Sequence, residues 1–329
     1  LCLNLGFDLI RDLTGWLQAP DQLRDADRLQ PILVLTVPKR RERDAPEEQL
    51  ELWCYTLGES LAQLGERLDI TITDQKTKQT TYKLLGTAEN ADLPSIALEP
   101  WRVVQRLDRG TARQFAGATN KTDTPLLAIG AGAIGSNVAM MVTRSGIGPW
   151  TVVDGDITLP HNTVRQVHKR DSVGYPKALG LQFALDNVFE EGGNTAIPVN
   201  VFAPGEQADA LDAAVRSSEI AIDFSASPAV LGWLSEQPIR RGVSAFFGPD
   251  GSDLVVLAEN KSRAVRVDEI EAQYFWHVAT EAQLKGHLSA ARLDKIRYAN
   301  ACQDLSAPLP PWQLQTLCGL AAGQVARLL

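Results

Sequence analysis

From Leu126 onward the chain sets short apolar runs about one helix apart. Apolar strands are read at Leu126–Ile129, Thr151–Val153, Ile197–Phe202, Glu219–Phe224, Val243–Phe247 and Leu254–Ala258, and helices from Ser136, near Pro176–Val188, and after the third and fourth strands. The tail from Trp312 to Leu329 reads as a closing helix. Strand and helix in alternation predict an α/β fold, a doubly wound Rossmann-like unit with a mainly parallel sheet covered by helices. The first hundred residues read differently. Helix-like stretches at Asp8–Leu17 and Pro46–Leu68 flank a strand at Ile32–Leu35, and a second strand at Asp69–Thr73 runs into the polar turn Asp74–Thr81. The proline-broken stretch Ala88–Pro100 reads as a linker, which gives a smaller N-terminal α+β accessory domain at 1–100 and an α/β domain at 101–329.

Composition adds limits rather than chemistry. With 329 residues, 44% of them hydrophobic, the chain can bury a sizeable core. A formal charge of -8 and a Lys39-Arg40-Arg41-Glu42-Arg43 run interleaved with acid give no nucleic-acid footprint. No apolar run is long enough to span a bilayer and no secretory leader is apparent, so a cytoplasmic protein is expected. The chain does not begin with Met, and an upstream segment is expected to be missing from it. Cys2, Cys54, Cys302 and Cys318 form no Cys-x-x-Cys pair, which predicts reduced thiols without a zinc site.

The chemistry begins after the first α/β strand. Gly130-Ala131-Gly132-Ala133-Ile134-Gly135 fits the phosphate-binding G-x-G-x-x-G loop, with Gly130, Gly132 and Gly135 supplying a tight turn, close approach to phosphate and helix–strand packing. The helix N-terminus that follows favours an anion. Asp154, at the end of the next strand, sits where an acidic residue meets a ribose hydroxyl pair. An NAD(P)-dependent oxidoreductase fits these features equally well. Beyond Asp154 come Asn162, Arg165, Gln166 and Lys177, and such a set of donors suits phosphoryl chemistry better than hydride transfer. The nucleotide expected is therefore ATP, attacked at its α-phosphorus.

The ordered set of the glycine loop, Val152-Val153-Asp154-Gly155-Asp156, His161-Asn162-Thr163-Val164-Arg165-Gln166 and Gly174-x-Pro176-Lys177 resembles the ThiF/MoeB superfamily across residues 101 to 329. That superfamily contains adenylyltransferases of thiamine and molybdopterin synthesis and the ubiquitin-activating enzymes. The resemblance implies that Asp154 holds the ribose, that Asn162, Arg165 and Lys177 contact phosphate, and that Gln166 supports the Arg loop. It also implies ATP and magnesium, the C-terminal tail of a ubiquitin-like protein as substrate, a conjugating-enzyme-like partner and a homodimer. Where the superfamily carries Asp-x-x-Asp-Asn, this chain has Asp223-Phe224-Ser225-Ala226-Ser227. Asp223 is thus the one candidate magnesium ligand there, and loss of catalysis, leaving a nucleotide-binding scaffold, is the third reading.

Three further expectations follow from the resemblance. The segment Ser235–Glu259 contains no cysteine for a thioester but holds Ser244 and Ser252, with no base visible beside either, and Cys302 is the one cysteine near a candidate loop. Arg102, Arg106, Arg109 and Arg113 are spaced to share one helix face, and Arg109 or Arg113 is expected to reach a second subunit's ATP. Leu1-Cys2-Leu3 and Thr14-Gly15-Trp16-Leu17 are similar to the tail of a conjugating-enzyme-type domain fused ahead of such enzymes in bacterial ubiquitination-like or antiviral operons.

Overall fold

The computed structural model describes residues 25–42, 44–83, 97–104, 106–117, 123–249, 251–288, 296–297, 305–306 and 309–329. It divides into two compact units, Leu1–Gln105 and Arg106–Leu329. The expectations at residues 1–3, 8–17 and Cys302, and most of those at 88–100, lie outside the described residues.

In the first unit, β1 (Ile32–Lys39) pairs antiparallel with β2 (Gln49–Leu57). The helix α1 (Leu61–Arg67) follows, then a hairpin of β3 (Thr71–Thr73) and β4 (Thr80–Tyr82), and β5 (Leu98–Trp101) pairs antiparallel with β2. The stretch Pro46–Leu68, read as one helix, is a strand followed by a helix. Trp53-Cys54-Tyr55-Thr56 favours extended backbone, and Ser60 with Gln63 forms a capping box that sets where the helix begins. Leu33, Leu35 and Leu57 bury one sheet face against Leu64.

The second unit opens with α2 (Arg109–Phe115) and then alternates: β6 (Asp123–Ile129), α3 (Ala133–Arg144), β7 (Gly148–Val153), α4 (Lys177–Asp186), β8 (Thr195–Ile197) and α5 (Ala208–Ser217). β9 (Ile220–Asp223), α6 (Pro228–Glu236), β10 (Gly242–Phe247), β11 (Leu254–Ala258), α7 (Val267–Thr280) and α8 (Pro311–Leu328) complete it. The six strands run in the order β11-β10-β9-β6-β7-β8, parallel except for β11. The doubly wound α/β expectation holds.

Both sheet faces are covered, which explains the unbroken apolar runs. Leu126 and Ala128 face one core layer with Val138, Leu181 and Leu314, whereas Leu127 and Ile129 face the other with Leu211, Val215 and Leu234. The strand order reverses between β6 and β9, and in open sheets a crevice forms at the carboxyl ends of such neighbours.

Three readings change. β8 ends at Ile197, because Asn200 makes a turn in which Phe202 N–H donates to its Oδ1 and Ala203 N–H to its carbonyl. The helix α7 was missed between the last strand and the tail. Of the four arginines, only Arg109 and Arg113 lie on α2, and both are buried in their own unit, 8% and 6% exposed. Arg109 donates to the Gly192 carbonyl and pairs with Glu191 at 3.8 Å, and Arg113 donates to the Gly146 carbonyl at 3.3 Å. Both side chains are thus engaged by carbonyls of their own unit.

Candidate active site

The glycine loop joins β6 to α3, and each glycine meets a different constraint. Gly130 adopts φ +103°, and a Cβ there would lie 3.0 Å from the Phe224 carbonyl carbon, so the turn passes tight against the end of β9. Gly135 lies in the first turn of α3, where a Cβ would stand 2.0 Å from the Gly130 oxygen. Gly132 is the N-cap of α3, no side chain caps the helix, and a Cβ would meet nothing within 4 Å. The first two glycines close the loop, and the third leaves space in front of free helix N–H groups suited to an anion.

That space belongs to a cleft of about 370 Å³ at the carboxyl ends of β6, β7 and β9, lined by Gly130, Gly132, Asp154, Lys177, Asn200 and Ser225 among others. Asp154 is fixed by two backbone donors: the Ala131 N–H reaches Oδ2 at 2.6 Å and the Asp156 N–H reaches Oδ1 at 2.8 Å. Burial pushes its carboxyl above the ordinary value, opposed by those two hydrogen bonds and by the Lys177 charge. Lys177 Nζ lies 2.9 Å from Asp156 Oδ2, and its own N–H donates to the Asp156 carbonyl. The cleft therefore offers a cation and open helix N–H groups around a fixed carboxylate.

Asn162, Arg165 and Gln166 stand on the neighbouring turn and do not line this cleft. Asn162 is buried, its Oδ1 accepting the Leu159 N–H at 2.8 Å and its Nδ2 lying 3.1 Å from His161 Nε2. Arg165 is half-buried, and burial lowers its guanidinium below the ordinary value without neutralising it. Its carbonyl accepts from Asn137 Nδ2 at 2.8 Å, which ties this turn to α3. The Gln166 Oε1 is buried and accepts no hydrogen bond among the described residues.

Two supports escaped the sequence reading. His168 is buried and its Nε2 lies 3.0 Å from the Ala131 carbonyl, so the imidazole holds the glycine loop from behind. Burial pushes its pKa below the ordinary value, so the ring is neutral and Nε2 carries the proton. Asn137 anchors the Arg165 turn. Neither position carries a signal in the sequence, since a histidine or asparagine in an apolar surround has many uses.

Asp223 ends β9 and is 1% exposed. Its Oδ1 accepts the Ser225 N–H at 2.8 Å and the Ser225 hydroxyl at 2.6 Å, while Ser244 Oγ approaches Oδ2 at 3.5 Å. Burial raises its pKa against those bonds. The structure thus supplies a neighbouring carboxylate for Ser244 that the sequence did not reveal, whereas Ser252 is exposed beside Asp253. Ala226 adopts φ +54°, a left-handed conformation uncommon for alanine. Among the described residues no three His, Cys, Asp or Glu side chains gather as a metal site. Cys318 is buried, its thiol pushed up to about 12, and it is not a nucleophile.

A strand-turn-helix glycine loop at the switch point of a doubly wound sheet, with a carboxylate and a lysine in the same cleft, is the arrangement by which open α/β sheets receive nucleotides. Residues 117–223 match the model of the ThiF family. The chain is similar to "Adenylyltransferase and sulfurtransferase MOCS3" of Caenorhabditis briggsae, 38% identical over 88 residues, which are 26% of this chain and 21% of that protein. It is also similar to the tRNA threonylcarbamoyladenosine dehydratase of Escherichia coli (strain K12), 39% identical over 83 residues, 24% of this chain and 30% of that protein. A crystal structure of E. coli MccB with ATP aligns over 66% of this chain and 58% of its own, at 17% identity and a TM-score of 0.41. The chain spans less than a third of the length of the curated relatives it matches. Among the described residues no helix is long and apolar enough to cross a membrane.

Proposed function

We propose that the α/β unit binds ATP in this cleft and adenylates a carboxylate, the C-terminal one of a ubiquitin-like protein. A carboxylate oxygen attacks the α-phosphorus, the bond from that phosphorus to the bridging oxygen breaks, and acyl-adenylate and pyrophosphate result. The observation that carries the reading is the meeting of the uncapped α3 N-terminus, Lys177 and Asp154 in one cleft. Asp154 would face the ribose hydroxyls. Lys177, with Arg165 reaching from the neighbouring turn that Asn162 holds, would meet the phosphates, where negative charge accumulates as pyrophosphate departs. Gln166 would support the Arg165 turn.

Magnesium would arrive with the nucleotide and be held by phosphate oxygens and water, because Asp223, the candidate ligand in the sequence, lines the neighbouring cavity and not this cleft. The similarity to an adenylyltransferase and sulfurtransferase supports the adenylation step. Onward ester transfer to a conjugating-enzyme-like partner and a homodimeric assembly complete the proposal. Ala226, which offers no ligand, favours the second reading, a nucleotide-binding scaffold without catalysis.

Calorimetric titration of magnesium-ATP and of NADH into the chain, with wild type and Arg165→Ala, tests the reading. Adenylation predicts ATP binding that weakens by about 1.5–3 kcal/mol on losing a charge-assisted contact. Binding of NADH instead, or an unchanged ATP affinity in Arg165→Ala, would overturn it. Pyrophosphate exchange with a ubiquitin-like protein separates enzyme from scaffold.

A further inference from the structure

A second cavity, of about 250 Å³, opens on the other side of the loop that closes the nucleotide cleft. Phe224 and Ser225 line the cleft, whereas Asp223, Ala226 and Ser227 line this cavity. Its remaining walls are mostly apolar: Phe246 and Phe247 of β10, Phe275 of α7, and Leu231 of α6. Two carboxyl groups face this aromatic space, Asp223 and Glu271, the latter one helical turn before Phe275. Among the described residues no Lys, Arg or His lines it.

The carboxyl groups are incompletely matched. Asp223 Oδ1 is met by Ser225, but the Oδ2 contact, Ser244 Oγ, lies at 3.5 Å, the limit of a hydrogen bond. Glu271 has no hydrogen bond or ion pair among the described residues, and the charged groups acting on it are Asp223 and Asp268, both acidic. Asp268 lies 3.6 Å from Arg266, so it is the matched member of the three. Asp223 is buried with one oxygen only weakly met, and the half-buried Glu271 carboxyl stands beside it, so two negative charges here are costly unless a cation joins them. Three phenyl rings and leucine walls suit a delocalised organic cation on an aliphatic stem better than a hydrated metal ion, which seeks oxygen ligands.

We propose that this cavity binds an organic cation, a guanidinium or ammonium on an aliphatic stem, and that it receives a basic side chain close to the carboxylate being activated. The first half stands on the cavity alone; the second rests on the adenylation reading. Asp223 would share its free oxygen with the cation, Glu271 would supply the second charge, and the phenyl faces would hold the stem and the charged plane.

The test titrates the full chain at low salt with acetyl-arginine amide and with acetyl-citrulline amide, its neutral isostere, by calorimetry or ligand-observed NMR. The arginine compound is expected to bind about tenfold tighter or more, and Glu271→Gln to abolish that preference. Phe275→Leu, at a side chain 45% exposed, serves as a second variant that spares the core and should weaken the arginine compound severalfold but not the citrulline one. Equal binding of the two compounds, or a preference that survives both substitutions, overturns the proposal. So does displacement of the arginine compound by manganese in a Glu271-dependent manner, which would make the cavity a metal site. Magnesium-ATP binding, read on the same wild-type samples, judges the adenylation reading separately, because the arginine and citrulline comparison needs no nucleotide.

Discussion

The Asp154 carboxylate accepts the Ala131 N–H at 2.6 Å, joining the end of β7 to the glycine loop after β6. With the Asp156 N–H on its other oxygen, both acceptors are occupied by backbone. Asp154→Asn retains the size of the side chain but replaces one acceptor by a donor, so one of the two N–H groups loses its partner. A stability loss of about 1–3 kcal/mol is expected, measured as a lower urea midpoint, together with weaker ATP binding by calorimetry.

Two glycines of one motif should respond differently. Gly135→Ala drives a Cβ into the Gly130 carbonyl and should destabilise by about 3 kcal/mol or more. Gly132→Ala meets open space and should cost about 1 kcal/mol or less as a poorer N-cap. Its methyl group would instead occupy the phosphate approach, so ATP affinity should fall while the melting temperature barely moves.

His168 makes stability depend on pH. Its native pKa lies below the ordinary 6.5, so between those two values the unfolded chain holds a proton that the folded chain lacks. Stability is therefore complete above the ordinary value and is lost as pH falls through that window. Urea midpoints taken from about pH 7.5 down to about 5.5 should decline, and His168→Gln, whose amide can still donate to Ala131, should decline less.

Away from the site, Glu259 is fully buried and accepts from the Gly242 and Val267 N–H groups at 2.7 and 3.0 Å and from Arg263 Nε at 2.7 Å. Glu259→Ala strands a guanidinium that also donates to the Ser235, Gln237 and Ile239 carbonyls. The expected cost is about 3–5 kcal/mol, seen in denaturant unfolding. Replacing both Glu259 and Arg263 by apolar residues should cost less than removing Glu259 alone.

Much of the second unit was legible because its signals are local. The runs at Leu126–Ile129 and Leu254–Ala258 are apolar because a strand covered on both faces must be. The polar turn Asp74–Thr81 was legible because Asp74 Oδ1 accepts the Lys76 and Thr77 N–H groups of its own turn. The stretch Pro46–Leu68 misled because it mixes helix formers with a Trp-Cys-Tyr-Thr core whose partners, β1 and β5, lie elsewhere in the chain. The arginine series misled for the same reason: its periodicity said nothing of the Gly146 and Gly192 carbonyls that receive Arg113 and Arg109.

By itself the sequence determined the doubly wound class, the glycine turn and the positions of Asp154 and Lys177, because backbone conformation and strand burial are set by residues a few places apart. Only the tertiary structure decided that His168 backs the loop, that Asn162 is spent on its own turn, and that Asp223 and Glu271 face one aromatic cavity. Those relations depend on which faces of distant elements meet. Packing of the whole sheet and its helices sets that, and no local pattern encodes it.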